Sequence, residues 1–105
     1  MARSAIHPGE HLAEAIAALG ITATQLARDL RVPANRVTGI LHGVRAITAD
    51  TALRLGRYFG TSAAFWMNLQ QIYELRLAEA KLGGAIKSIP RRKRRANGPL
   101  QPAAS

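Results

Sequence analysis

TATQLARDLRVPANRVTGILHG, residues Thr22 to Gly43, reads as two short helices joined by a tight turn. Thr22 and Gln25 fit a capping box, in which the hydroxyl accepts from the Gln25 backbone N–H, so one helix starts at Ala23. Leu26, Ala27 and Leu30 share a face, and Val32-Pro33 stops that helix because a residue before proline is driven out of the α region. A second helix follows at once. Val37, Ile40 and Leu41 supply its buried side, which leaves Asn35, Arg36, Thr38, Gly39 and His42 facing outward, and Gly43 ends it. Small Ala27 at the crossing and apolar Val32 in the turn complete the spacing of a helix-turn-helix unit. In such a unit the exposed second helix lies in the DNA major groove.

The flanks extend the helical pattern. His7-Pro8-Gly9-Glu10 punctuates the start of a first helix, in which Leu12, Ile16 and Leu19 form the inner stripe and Gly20 closes the end. Val44-Arg45-Ala46-Ile47 is too short and too tightly bounded for a paired strand, and reads as a packed loop. Thr48 caps a fourth helix with Asp50 in its first turn and Ala52, Leu55 and Phe59 inside; Gly60 stops it. Ser62 caps a fifth, which carries Phe65, Trp66, Leu69, Ile72, Tyr73 and Leu77 and should fray near Gly83-Gly84. The expectation is an all-α, five-helix domain over residues 1–82, followed by a disordered basic tail over residues 83–105.

Charge divides the chain at the same place. The net charge of +9 is uneven: residues 1–80 hold eight Lys/Arg against six Asp/Glu, whereas residues 81–105 hold seven against none. The run Arg91, Arg92, Lys93, Arg94, Arg95 is the tail's strongest feature and suits DNA backbone phosphates, or simply solubility. The absence of cysteine excludes disulfides and thiolate zinc sites, and no run approaches the ~20 apolar residues that span a bilayer. A soluble, cytoplasmic protein is expected. His7 and His11 stand four apart, but Pro8 and Gly9 intervene and no third ligand is placed. With no nucleophile beside a base and no phosphate loop, no catalytic site, metal or cofactor is expected.

The residues resemble the HigA-type antitoxins of bacterial toxin–antitoxin modules, a branch of the lambda-repressor-like helix-turn-helix proteins. The resemblance spans about residues 6–78 and rests on His7-Pro8-Gly9-Glu10, Gln25-Leu26-Ala27, Val32-Pro33-x-Asn35-Arg36-Val37, the run from Gly43 to Leu55, and Phe59-Gly60-Thr61-Ser62 leading into Phe65-Trp66-x-Asn68-Leu69-Gln70. It implies a dimeric repressor of its own operon that binds an operator inverted repeat and neutralises a RelE-like, messenger-RNA-cleaving toxin. The antitoxin itself would not be an enzyme. Two other readings stay open: a stand-alone repressor of this fold, and a nucleic-acid-binding protein that acts mainly through its basic run. Two positions depart from the pattern. Arg31 replaces the usual glycine between the helices, so it takes a left-handed conformation or the turn relaxes. Ala23 replaces a polar side chain able to touch a phosphate.

The expected DNA-binding set is Gln25, Pro33, Ala34, Asn35, Arg36, Thr38, Gly39, His42 and Arg45. Arg36 would read a base edge or grip a phosphate, against the alternative of a solvated surface charge. Asn35 either reads a base edge, as Thr38 can, or helps to cap its helix. Gly39 either permits close approach to DNA or is merely tolerated, and His42 sits at the groove wall. Arg45 is a phosphate contact or the ion-pair partner of Asp50. Trp66 belongs to the core rather than to a binding surface. Phe65, Leu69, Ile72, Tyr73 and Leu77 make a stripe wider than one core needs, and so form the expected dimer interface.

Overall fold

The computed structural model describes residues 4–92. It contains α1 (Pro8–Leu19), α2 (Ala23–Leu30), α3 (Ala34–Leu41), α4 (Ala49–Phe59) and α5 (Ala63–Lys87), with no strand among the described residues. Local chemistry sets the boundaries. Thr22 Oγ1 accepts from Gln25 N at 3.0 Å and Ser62 Oγ from Phe65 N at 3.0 Å, which satisfies donors that a helix start leaves orphaned. His7 caps α1 in the same way, with Nδ1 accepting from Gly9 N at 2.9 Å. Thr48 occupies the N-cap position of α4 without a side-chain cap bond; its hydroxyl instead lies 3.4 Å from Thr51 Oγ1.

Arg31 adopts the left-handed conformation, with φ 62° and ψ 45°. Its strain is accepted because the turn closes two bonds, Val32 N to Ala27 O at 3.0 Å and Arg31 N to Arg28 O at 3.1 Å. The turn therefore keeps its geometry without the glycine. At the far end of α3, His42 is the C-cap and Gly43, at φ 76°, redirects the chain.

All five helices meet over one core, made of Leu12, Leu26, Ala27, Leu30, Val37, Ile40, Ile47, Ala52, Leu55 and Trp66. Two inward assignments fail. Leu19 is 55% exposed, because the buried residues of α1 are Pro8, Gly9 and Leu12 in its first half and the last turn carries none. Of the loop from Val44 to Ile47 only Ile47 packs, its N–H held at 2.9 Å by Oε1 of the buried Gln70, whereas Val44 is exposed. Gly9 shows how close the first crossing is: a Cβ there would meet the Ile40 carbonyl oxygen at 2.0 Å, so only glycine lets α1 lie on the end of α3.

α5 does not fray at Gly83-Gly84 but continues to Lys87, capped at Ser88, whose N–H reaches the Gly84 and Ala85 carbonyls. A glycine costs a helix about 1 kcal/mol relative to alanine, a bias rather than a stop, and the flanking Ala78, Ala80, Leu82 and Ala85 are strong helix formers. The first residues of the expected tail are thus helical. Lys93, Arg94 and Arg95 lie outside the described residues, while Arg91 and Arg92 are exposed beyond the helix.

Candidate nucleic-acid interface

α3 packs by its buried residues Val37 and Ile40, with Leu41 half-buried against the core, and turns its other residues outward. Ala34, Asn35 and His42 are exposed along it, Arg36, Thr38 and Gly39 are half-buried, and Gln25 and Pro33 are exposed at the starts of α2 and α3. The N-cap residue of α3 is Pro33, with no side-chain cap bond, so Asn35 is not spent on capping. Thr38 Oγ1 bonds back to the Ala34 carbonyl at 3.3 Å, a local bond that a better partner can replace.

Arg36 and Arg45 line one shallow recess of about 330 Å³ together with Ala46, Thr48, Asp50 and Thr51. Arg36 Nη1 donates to Asp50 Oδ2, and Arg54 Nε donates to the same carboxylate at 3.2 and 3.3 Å. Arg54 Nη1 then donates to the Leu30 carbonyl at 2.8 Å, at the end of α2. The bonds from Arg54, then those from Arg36, hold the Asp50 carboxyl below its ordinary range, so this exposed group stays charged.

The alternative pairing of Arg45 with Asp50 does not form; the carboxylate is taken by Arg36 and Arg54, and Arg45 makes no ion pair among the described residues. Its position has a backbone cause. Arg45 N donates to the Gly39 carbonyl at 3.1 Å, and a Cβ on Gly39 would stand 3.1 Å from Arg45 Cβ. Gly39 therefore makes room for the loop at Arg45 to lie against α3, a reason for the glycine that lies within the fold. Gln70, by fixing Ile47, ties the other end of this loop to α5.

On α5 the expected interface residues divide. Leu69 is half-buried against the core and Tyr73 packs edge-on to the His7 ring at 4.8 Å, whereas Phe65, Ile72 and Leu77 are exposed. Trp66 is buried, with Nε1 donating to Thr61 Oγ1 at 2.9 Å. The sequence reading missed the three-member chain Arg36, Asp50, Arg54. Asp50 and Arg54 stand at i,i+4 on one helix, a spacing that signals their pairing, but nothing local announces the link across to Arg36. His7 and His11 are not drawn into a metal site, since no group of three candidate ligands occurs among the described residues.

The helix-turn-helix family model matches residues 12–66 of this chain. A HigA-family addiction-module antidote protein from Coxiella burnetii superposes with a TM-score of 0.83 at 50% identity, covering 86% of this chain and all of that one. This chain belongs to the HigA family of helix-turn-helix antitoxins. Pseudomonas aeruginosa antitoxin HigA, solved with the higBA promoter, superposes with a TM-score of 0.80 at 48% identity over 83% of this chain and 97% of that one. Virulence-associated protein I of Dichelobacter nodosus is 50% identical over 76 residues, 71% of this chain and 70% of that protein. The HigA family is one of DNA-binding proteins rather than enzymes, and no described helix of this member is long and apolar enough to cross a membrane.

Proposed function

We propose that this HigA-family protein is a DNA-binding antitoxin repressor that docks α3 in the major groove of an operator inverted repeat as a dimer and neutralises a RelE-like ribonuclease toxin in the cytoplasm. The observation that carries the DNA-reading part is the outward face of α3, with Asn35 exposed and Arg36 lining one recess with Arg45, on a helix that packs inward by Val37, Ile40 and Leu41. In this arrangement Arg36 reads a base edge, Gln25 and Arg45 meet the backbone at either side, and Pro33, Ala34, Thr38, Gly39 and His42 line the contact. The toxin part rests on family membership alone.

The dimer rests on α5. Phe65, Ile72, Leu75, Leu82 and Ile86 recur at heptad spacing and stay between 44% and 62% exposed, although Trp66 and Leu69 already serve the core and Tyr73 packs on His7. A helix that has buried one face and still carries a second apolar stripe is suited to a second copy of itself. Leu77 borders this stripe, and Leu69 and Tyr73 support it from inside. Two-fold pairing would set two α3 helices on half-sites about 34–36 Å apart. The basic run from Arg91 to Arg95 adds phosphate contacts that carry no sequence information; a chain ending at Ser88 should show a flatter salt dependence, by about 0.9 per lost contact.

Footprinting on the promoter of its own operon tests the DNA part, with protection of an inverted repeat expected. Co-purification with the product of the adjoining gene, together with loss of that product's messenger-RNA cleavage, tests the toxin part. Protection of a single unrepeated site would overturn the dimeric reading, and cleavage unaffected by excess antitoxin would overturn the other.

A further inference from the structure

We infer that Asp50 is a specificity-determining residue that acts through Arg36, with Arg54 anchoring it to the helix-turn-helix turn. This rests on the reading of Arg36 as the base-contacting side chain. Arg36 belongs to the second helix of the motif, yet its guanidinium is held from outside the motif by a carboxylate in the first turn of α4. That carboxylate is itself held by Arg54, which reaches 24 residues back to the Leu30 carbonyl. A chain of hydrogen bonds thus runs from the end of α2 through Arg54 and Asp50 to the tip of Arg36.

Its chemistry has two consequences. A guanidinium has five N–H donors, and Asp50 takes one on Nη1, so the donors left over still form the planar fork that matches the O6 and N7 acceptors of guanine. Pinning one edge removes rotamer freedom from a long side chain before DNA arrives, so less is lost on binding. The second consequence is repulsive. Asp50 is charged and exposed beside the recess, so it disfavours a phosphate where Arg36 would otherwise grip one, and steers Arg36 toward a base. Arg45, which has no such acid partner among the described residues, is left to meet phosphates.

The test is a double-mutant cycle of Arg36→Ala and Asp50→Asn on the full-length chain. Affinities are measured for the promoter operator, for the same operator with each base pair substituted in turn, and for scrambled DNA. Asp50→Asn keeps the shape of an exposed side chain, so folding should survive, and melting of each variant checks this. The expected result is a fall in the operator-to-scrambled ratio of about tenfold, the size of coupling usual within one hydrogen-bond network. It should be confined to the one base pair that Arg36→Ala also relaxes, with scrambled-DNA affinity unchanged or raised. In the Arg36→Ala background, Asp50→Asn should change the ratio little. Arg54→Met, which leaves the Arg36 to Asp50 contact in place but unanchored, should give the same pattern more weakly.

A ratio untouched by Asp50→Asn, while Arg36→Ala lowers it, overturns the inference and leaves Arg36 as the base reader. An equal fall with and without Arg36 shows that Asp50 acts by another route and also overturns it. If Arg36→Ala itself leaves the ratio unchanged, the reading of Arg36 fails and the inference falls with it.

Discussion

α3 and α5 both carry an unburied face, but of opposite chemistry. α3 is eight residues long, and its outer side is amide, hydroxyl, guanidinium and bare backbone, organised by contacts that come from α4 and from the loop that joins α3 to α4. α5 is 25 residues long, and its outer side is a heptad-spaced row of apolar residues left exposed by the other described residues. The contrast separates two kinds of recognition. A polar face must have its donors aimed, because a misplaced donor leaves both partners unsatisfied, so the fold devotes neighbours to holding it. An apolar face needs only shape and area, so it can wait unsupported along a rigid helix.

The largest effect should come from α5. Ile72→Asp with Leu75→Asp places charges at two exposed positions of the row, so the monomer should fold while the dimer is lost. Operator affinity should fall roughly a hundredfold or more, since a dimer gains the second half-site at high effective concentration. Sedimentation should show monomers at micromolar protein; a parent chain that is monomeric there and yet represses fully would break the comparison. Substitutions on α3 come next. Arg36→Ala should cost ~1–3 kcal/mol on the operator and little on scrambled DNA, whereas Arg45→Ala should weaken both alike. Equal losses for Arg36→Ala on the two DNAs would make it a backbone contact, and the aimed face would be less selective than its geometry suggests.

Arg31→Gly probes the turn that sets α3 on α2. Removing the side chain from a left-handed position should raise stability by about 1 kcal/mol, read from chemical denaturation. Operator binding should hold steady, because Arg31 serves the turn and not the groove. The smallest effect is in acid. Because Arg54 and Arg36 lower the Asp50 carboxyl, its contribution to stability is fully present above the ordinary value of 3.8 and fades as pH falls through the lowered one. The parent chain should therefore melt slightly above Asp50→Asn at about pH 5 and converge with it in stronger acid. A gap that widens in acid would mean that the carboxylate is not the partner of the two arginines.

How much of this was legible in advance depended on the range of the physics involved. The caps at Thr22 and Ser62, the stop at Pro33 and the buried faces of α2, α3 and α4 are decided within four or five residues and are readable from residue type and spacing, whereas at Arg31 the sequence leaves a left-handed residue and a relaxed turn both open. Fraying of α5 at Gly83-Gly84 does not occur, because glycine lowers helix propensity without stopping a helix that strong helix formers flank.

What the amino-acid order determined by itself was the set of helices, the identity of the motif and the residues on its outer face, because periodicity and capping are local properties of the chain. Tertiary structure alone decided what that face is attached to. Arg36 and Asp50 are separated by 14 residues, Arg54 and Leu30 by 24, and Gln70 and Ile47 by 23, so each bond exists only once the helices have packed. The same packing took Leu69 and Tyr73 partly inside and left Ile72 and Leu75 out, since a helix with apolar residues on two sides can offer only one of them to its own core.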